Sequence, residues 1–119
     1  MLDTNLDVEK LKKLQFKIMK DVAASALIPL MRIGDQLGLF QKLSELGPIT
    51  SKKFAEEAKV DERYLREWLY ALSATDFVSY DGEKEEFSLS PEQKAVFADE
   101  EGPANMLGAY EVLAGQVYA

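Results

Sequence analysis

The side chains that most often do chemistry at neutral pH are missing from this sequence, which has no His and no Cys. Without His, the usual neutral-pH acid/base and the commonest zinc ligand are both absent. Without Cys there is neither a thiol nucleophile nor a disulfide framework. Carboxylates remain in abundance, with runs at Glu85-Glu86 and Asp99-Glu100-Glu101. Such runs could bind a divalent cation only if their oxygens converged, and their spacing places them in loop or edge positions where they stay solvated. A cation there would be an incidental guest, so no metal ligand and no catalytic residue is assigned. No two of the seven glycines stand one residue apart, which leaves no Gly-rich phosphate loop and no cofactor-binding residue in this chain.

Binding chemistry is better represented in the stretch Asp61-Glu62-Arg63-Tyr64-Leu65-Arg66-Glu67-Trp68-Leu69-Tyr70. Arg63, Arg66 and Glu67 are expected on a solvated helix face, where exposed ion pairs contribute little. Trp68 and Tyr70 are open to two readings, core anchors or aromatic surface for a ligand. Trp68 is in phase with Leu65, Leu69 and Leu72, which places it in the core.

These residues need elements to position them. A chain of 119 residues with 47% hydrophobic and 29% charged content is one soluble globular domain. The longest apolar run, Ala23 to Met31, is interrupted by Ser25 and Pro29 and is far shorter than the roughly 20 residues of a membrane span. No signal-peptide pattern precedes it, so the chain reads as intracellular and cytoplasmic, with no membrane partner.

From Val8 onward, Leu11, Leu14, Ile18 and Val22 recur at helical spacing among lysines and acids, an amphipathic helix with a narrow seam. Pro29 should kink or stop it, and a second helix should run from about Leu30 to Leu46 until Gly47-Pro48 ends it. Gly34 and Gly38 lie four residues apart on that helix, a spacing suited to close helix packing. Thr50 caps a short third helix ending near Lys59, with Ile49 packed on Phe54 as a hydrophobic staple. Val60 and Asp61 repeat the signal for a fourth helix whose apolar side is Leu65, Trp68, Leu69 and Leu72. Phe77 to Tyr80 and Phe87 to Leu89 alternate apolar with polar around a turn-bearing loop, a two-stranded hairpin. Ser90-Pro91-Glu92-Gln93 carries a capping box for a short helix through Phe97 or Ala98. After Pro103 a last helix turns Met106, Leu107, Tyr110, Leu113, Ala114 and Val117 to one side, and its pattern is still running at Ala119 as if cut.

The fold class expected is mainly α with a small β-hairpin: a winged helix-turn-helix preceded and followed by additional helices. That fold often binds DNA, but it also serves in packing and dimerisation. A net charge of −7 repels phosphate on average. Locally, Asp61, Glu62 and Glu67 match Arg63 and Arg66, while Asp81, Glu83, Glu85 and Glu86 face only Lys84 in the wing. Nucleic acid is therefore not the expected partner. A DNA-binding transcriptional regulator is the alternative.

Four strings carry a resemblance: Arg32-Ile33-Gly34-Asp35-Gln36-Leu37-Gly38-Leu39-Phe40, Pro48-Ile49-Thr50, Asp61-Glu62-Arg63-Tyr64-Leu65-Arg66-Glu67-Trp68-Leu69 and Leu89-Ser90-Pro91-Glu92. In this order they resemble the N-terminal winged-helix region of class I S-adenosylmethionine-dependent methyltransferases, related to the dimerisation region of small-molecule O-methyltransferases. The resemblance implies three parts: an N-terminal helical dimerisation arm (1–46), a winged helix-turn-helix (47–98) and the start of a linker helix (99–119) toward a catalytic domain beyond this chain. It also implies a homodimer, S-adenosylmethionine bound by that further domain, and a small-molecule substrate whose pocket this region helps to cover. Leu11, Leu14, Ile18 and Val22, with Leu107, Tyr110, Leu113 and Val117, supply more apolar surface than a small wing can hide, and are the candidate dimer interface.

Overall fold

The computed structural model describes residues 5–118, apart from the side chains of residues 113, 114 and 116–118. Helices α1 (Val8–Ser25), α2 (Leu27–Gln36) and α3 (Leu39–Leu46) lead into the short strand β1 (Ile49–Thr50). Helices α4 (Ser51–Ala58) and α5 (Glu62–Ala74) follow, then strands β2 (Ser79–Asp81) and β3 (Glu86–Ser88). A single turn, α6 (Pro91–Gln93), continues as a π-helical turn over Lys94–Ala98, and α7 (Leu107–Tyr118) is the last element.

Local chemistry explains most of these boundaries. Asp7 caps α1, accepting from the N–H groups of Glu9 and Lys10, and Thr50 caps α4 by accepting from Lys53 N–H. The Asp61 carboxylate accepts from Arg63 N–H at 2.9 Å and Tyr64 N–H at 3.3 Å. These are free donors at the first turn of α5, and the charge also complements the helix dipole. Asp61→Ala should therefore cost about 1 kcal/mol of unfolding free energy, read as a lower urea midpoint with an unchanged slope. At α6 the Ser90–Gln93 capping box is complete. Gln93 also takes the Ser79 hydroxyl at 2.9 Å and donates to the Asp76 carbonyl at 2.9 Å, tying α6 to the root of the wing.

Pro29 does not break the chain where the sequence suggested. It falls in the first turn of α2, where a missing N–H costs nothing, and the turn between helices is at Ala26. The expected Leu30–Leu46 helix is instead split at Gly38, whose φ of 65° is left-handed and ends α2. Gly38 is thus a helix stop, and helix packing falls to Gly34 alone. A Cβ there would lie 2.6 Å from ring atoms of both Phe40 and Trp68, so this glycine makes room for aromatic rings.

The sheet has three strands in the order β1-β3-β2, all antiparallel, one more than the expected hairpin. Ile49 pairs with Phe87 and Tyr80 pairs with Phe87 from the other side. The core gathers Met31, Phe40, Leu43, Phe54, Leu69, Leu72, Val78 and Phe87 from α2 through β3, so α2 and α3 share one core with the helix-turn-helix and its wing. Trp68 is 5% exposed, its ring 5.2 Å from Phe40 and its Nε1 donating to the Leu30 carbonyl at 2.9 Å. Phe97 stacks on Phe40 at 5.1 Å and so docks the π-helical turn on the same cluster.

Helix α1 stands apart. It buries no residue, and the radius of gyration is 17.5 Å where a compact chain of this length has about 13.5 Å. The helix is an arm about 27 Å long that leaves the body at Ala26.

Candidate functional site

Two surfaces can meet a partner: the face made by α5 and the wing, and the α1 arm. On the first, a groove of about 460 Å³ is lined by Thr50, Ser51, Lys52, Glu62, Arg66, Tyr70, Glu85 and Phe87. Two of its four ionic groups, Glu62 and Arg66, already face each other. Ser51 Oγ donates to Glu62 Oε2 at 2.6 Å, and Arg66 Nη1 lies 3.8 Å from Glu62 Oε1. Arg66 is half exposed in that pair, which contributes little to stability.

Tyr70 is 44% exposed, and its ring packs at 5.6 Å on Tyr80 and 5.4 Å on Phe87, so it belongs to an aromatic cluster rimming the wing. The Tyr80 hydroxyl donating to Tyr70, desolvation, and the nearby Glu85 and Asp81 hold the Tyr80 phenol above its ordinary pKa of 10.0. Its neutral form is favoured in the fold, so its contribution is present below pH 10 and is lost as the pH rises past the folded value. The groove is thus a hollow with one internal ion pair under an acidic rim. Beside the Glu62–Arg66 pair its remaining lining charges are one cation and one acid, Lys52 and Glu85, so the lining as a whole is balanced. Among the described residues no cluster of three acids converges on a metal position.

The interface candidates separate into two groups. Leu14, Ile18 and Val22 are exposed on α1 and Leu11 is half-buried beside them. Leu107, by contrast, is 4% exposed and belongs to this chain's own core, and Tyr110 packs against that core. Burial accordingly raises the Tyr110 phenol above its ordinary pKa. These two residues dock α7 on the body, where Arg32 on α2 also reaches Glu111 at 3.3 Å. The side chains of Leu113 and Val117 lie outside the described residues.

The expected narrow seam on α1 is incomplete. Val8, Phe16 and Met19 are as exposed as Leu14 and Ile18. They form a second line, Val8, Lys12, Phe16, Met19 and Ala23, at four- and three-residue spacing. That spacing is present in the sequence, but Lys12 interrupts it, so only the unbroken line stands out.

A helix-turn-helix closed by a three-stranded sheet with a β2–β3 wing defines a winged-helix domain. The chain belongs to the Rv2258c-like winged HTH domain family, which it matches over residues 23–98. Among solved structures, LepI in complex with SAM is similar at 18% identity and a TM-score of 0.66, over 91% of this chain and 28% of LepI. A LepI variant in complex with SAH and a substrate analogue is similar at 19% identity and 0.66, over 92% of this chain and 28% of that one. A candidate O-methyltransferase from Nostoc punctiforme PCC 73102 is similar at 23% and 0.61, over 85% of this chain and 28% of its own. These likenesses establish the fold, and the chain spans little more than a quarter of each protein. No curated protein matches the sequence.

Proposed function

We propose that this chain is the N-terminal dimerisation and substrate-pocket-covering region of an S-adenosylmethionine-dependent methyltransferase, without catalysis of its own. The observation that carries the reading is the α1 arm, a helix with no buried residue attached to a well-packed winged-helix body. An exposed apolar face of that size is a surface made for a partner. The methyltransferase part rests on similarity to a SAM complex and to a candidate O-methyltransferase, each several times longer than this chain. In this reading S-adenosylmethionine and a small-molecule acceptor belong to a further domain, the partner is a second copy of the chain, and the setting is cytoplasmic. Among the described residues no helix is long and apolar enough to cross a membrane. The DNA-binding alternative gains no support from the α5–wing face, where the wing carries four acids against Lys84 and the two arginines of α5 sit among Asp61, Glu62 and Glu67.

Sedimentation equilibrium of the 119-residue chain tests the proposal. A dimer that persists at low micromolar concentration is expected, and Leu14→Asp or Ile18→Asp should weaken it roughly 100-fold by placing a charge in a buried seam. Because α1 lies outside the core, Trp68 fluorescence should stay native in both variants. A wild-type chain that sediments as a monomer at every concentration removes the dimerisation role.

A further inference from the structure

We infer that α1 is gripped on two sides by a second copy of this chain, with the line of Val8, Phe16 and Met19 buried in the same interface as the line of Leu14, Ile18 and Val22. The inference rests on the dimer reading above and specifies its interface.

Area favours a two-sided contact over a one-sided one. Each exposed apolar side chain here offers about 100 Å². Leu14, Ile18 and Val22 alone would then bury on the order of 600 Å² of apolar surface over two copies, which with the usual polar share only just reaches the roughly 1,000 Å² minimum of a specific interface. With Val8, Phe16 and Met19 the apolar area doubles to on the order of 1,200 Å², which with its polar share is the size of a stable interface and not the bare minimum. Phe16 and Met19 are also the most exposed of the six, at 64% and 68%, so a contact that left them out would leave the stickiest part of the arm in water. The two lines lie roughly 120° apart around the helix, too far for one neighbouring helix to cover both. The second copy must therefore present two surfaces. Its own α1 can offer one, and the exposed Ile33 and Leu37, one turn apart at the end of α2, can offer the other.

Charge selects the occupant. Five lysines against Glu9 and Asp21 leave α1 at +3, so a total of −7 requires −10 on the rest of the chain. A basic apolar arm could in principle lie on an anionic membrane, but the acidic body attached to it would be repelled by that same surface. The body of a second copy is acidic and free to meet the arm. A symmetric pair makes this contact twice, which closes the assembly at two copies.

Sedimentation equilibrium of Phe16→Asp and Met19→Asp beside Leu14→Asp provides the test. All three are expected to weaken the dimer by a similar factor, roughly 100-fold, with Trp68 fluorescence unchanged. Phe16→Asp and Met19→Asp dimerising like the wild type while Leu14→Asp is monomeric would overturn the two-sided grip and leave the dimer intact. A wild-type monomer would remove both. Flotation with vesicles containing phosphatidylserine supplies the other arm: wild-type binding that Met19→Asp abolishes, with no change in dimer affinity, would assign the second line to a membrane and overturn the inference.

Discussion

Trp68→Ala is expected to lower the unfolding free energy by about 3–5 kcal/mol, the usual cost of emptying a large aromatic site. Trp68 occupies the junction of three helices: its ring lies 5.2 Å from Phe40 of α3, its Nε1 donates to the Leu30 carbonyl of α2, and it projects from α5. The loss would therefore include the apolar transfer term, the residual cavity and a buried hydrogen bond. Trp68→Phe keeps most of the ring and should forfeit mainly the hydrogen bond, about 1 kcal/mol. Chemical denaturation of both variants separates the contributions. A Trp68→Ala loss below that expected for the hydrogen bond alone would mean that α2 and α5 do not pack as described.

Gly34→Leu should be the second most damaging change, at about 3 kcal/mol, against the direction that helix propensity predicts. In an exposed helix interior, replacing Gly with Leu is favourable by somewhat under ~1 kcal/mol. Here the first added carbon would stand 2.6 Å from both the Phe40 and Trp68 rings. Phe40 is fully buried and also stacked on Phe97, so its ring has nowhere to retreat. Overpacking should outweigh propensity, and the thermal midpoint should fall by about 10 °C or more. A midpoint that rises instead would show that α2 can slide away from α5 at little cost. Gly38 offers the contrast: its Cβ position is nearly open, and any penalty there comes from its left-handed φ.

The elements legible in the sequence are those whose causes lie within one helical turn. The caps at Thr50, Asp61 and Ser90 bond donors two or three residues away, so their residue types announce them. The apolar side of α5 is likewise a matter of spacing, and all four of its expected residues are buried. On α1 spacing also predicts the exposed line of Leu14, Ile18 and Val22, yet a single lysine at position 12 is enough to conceal the second.

What the sequence by itself determined, then, was the order of helices and wing, and the acidity of the face where other winged helices meet DNA. Tertiary structure decided the remainder, because the deciding partners are far apart in the chain. Strand β1 exists only because Ile49 finds Phe87, 38 positions away, and a two-residue strand has no periodicity to reveal it. Gly34 is required by rings on two other helices, which spacing to Gly38 could not disclose. Leu107 and the residues of α1 have the same apolar periodicity, but only Leu107 finds a place in the body's core. Periodicity tells which side of a helix is apolar; whether that side is covered within the chain depends on where the other elements stop, and for α1 they stop short.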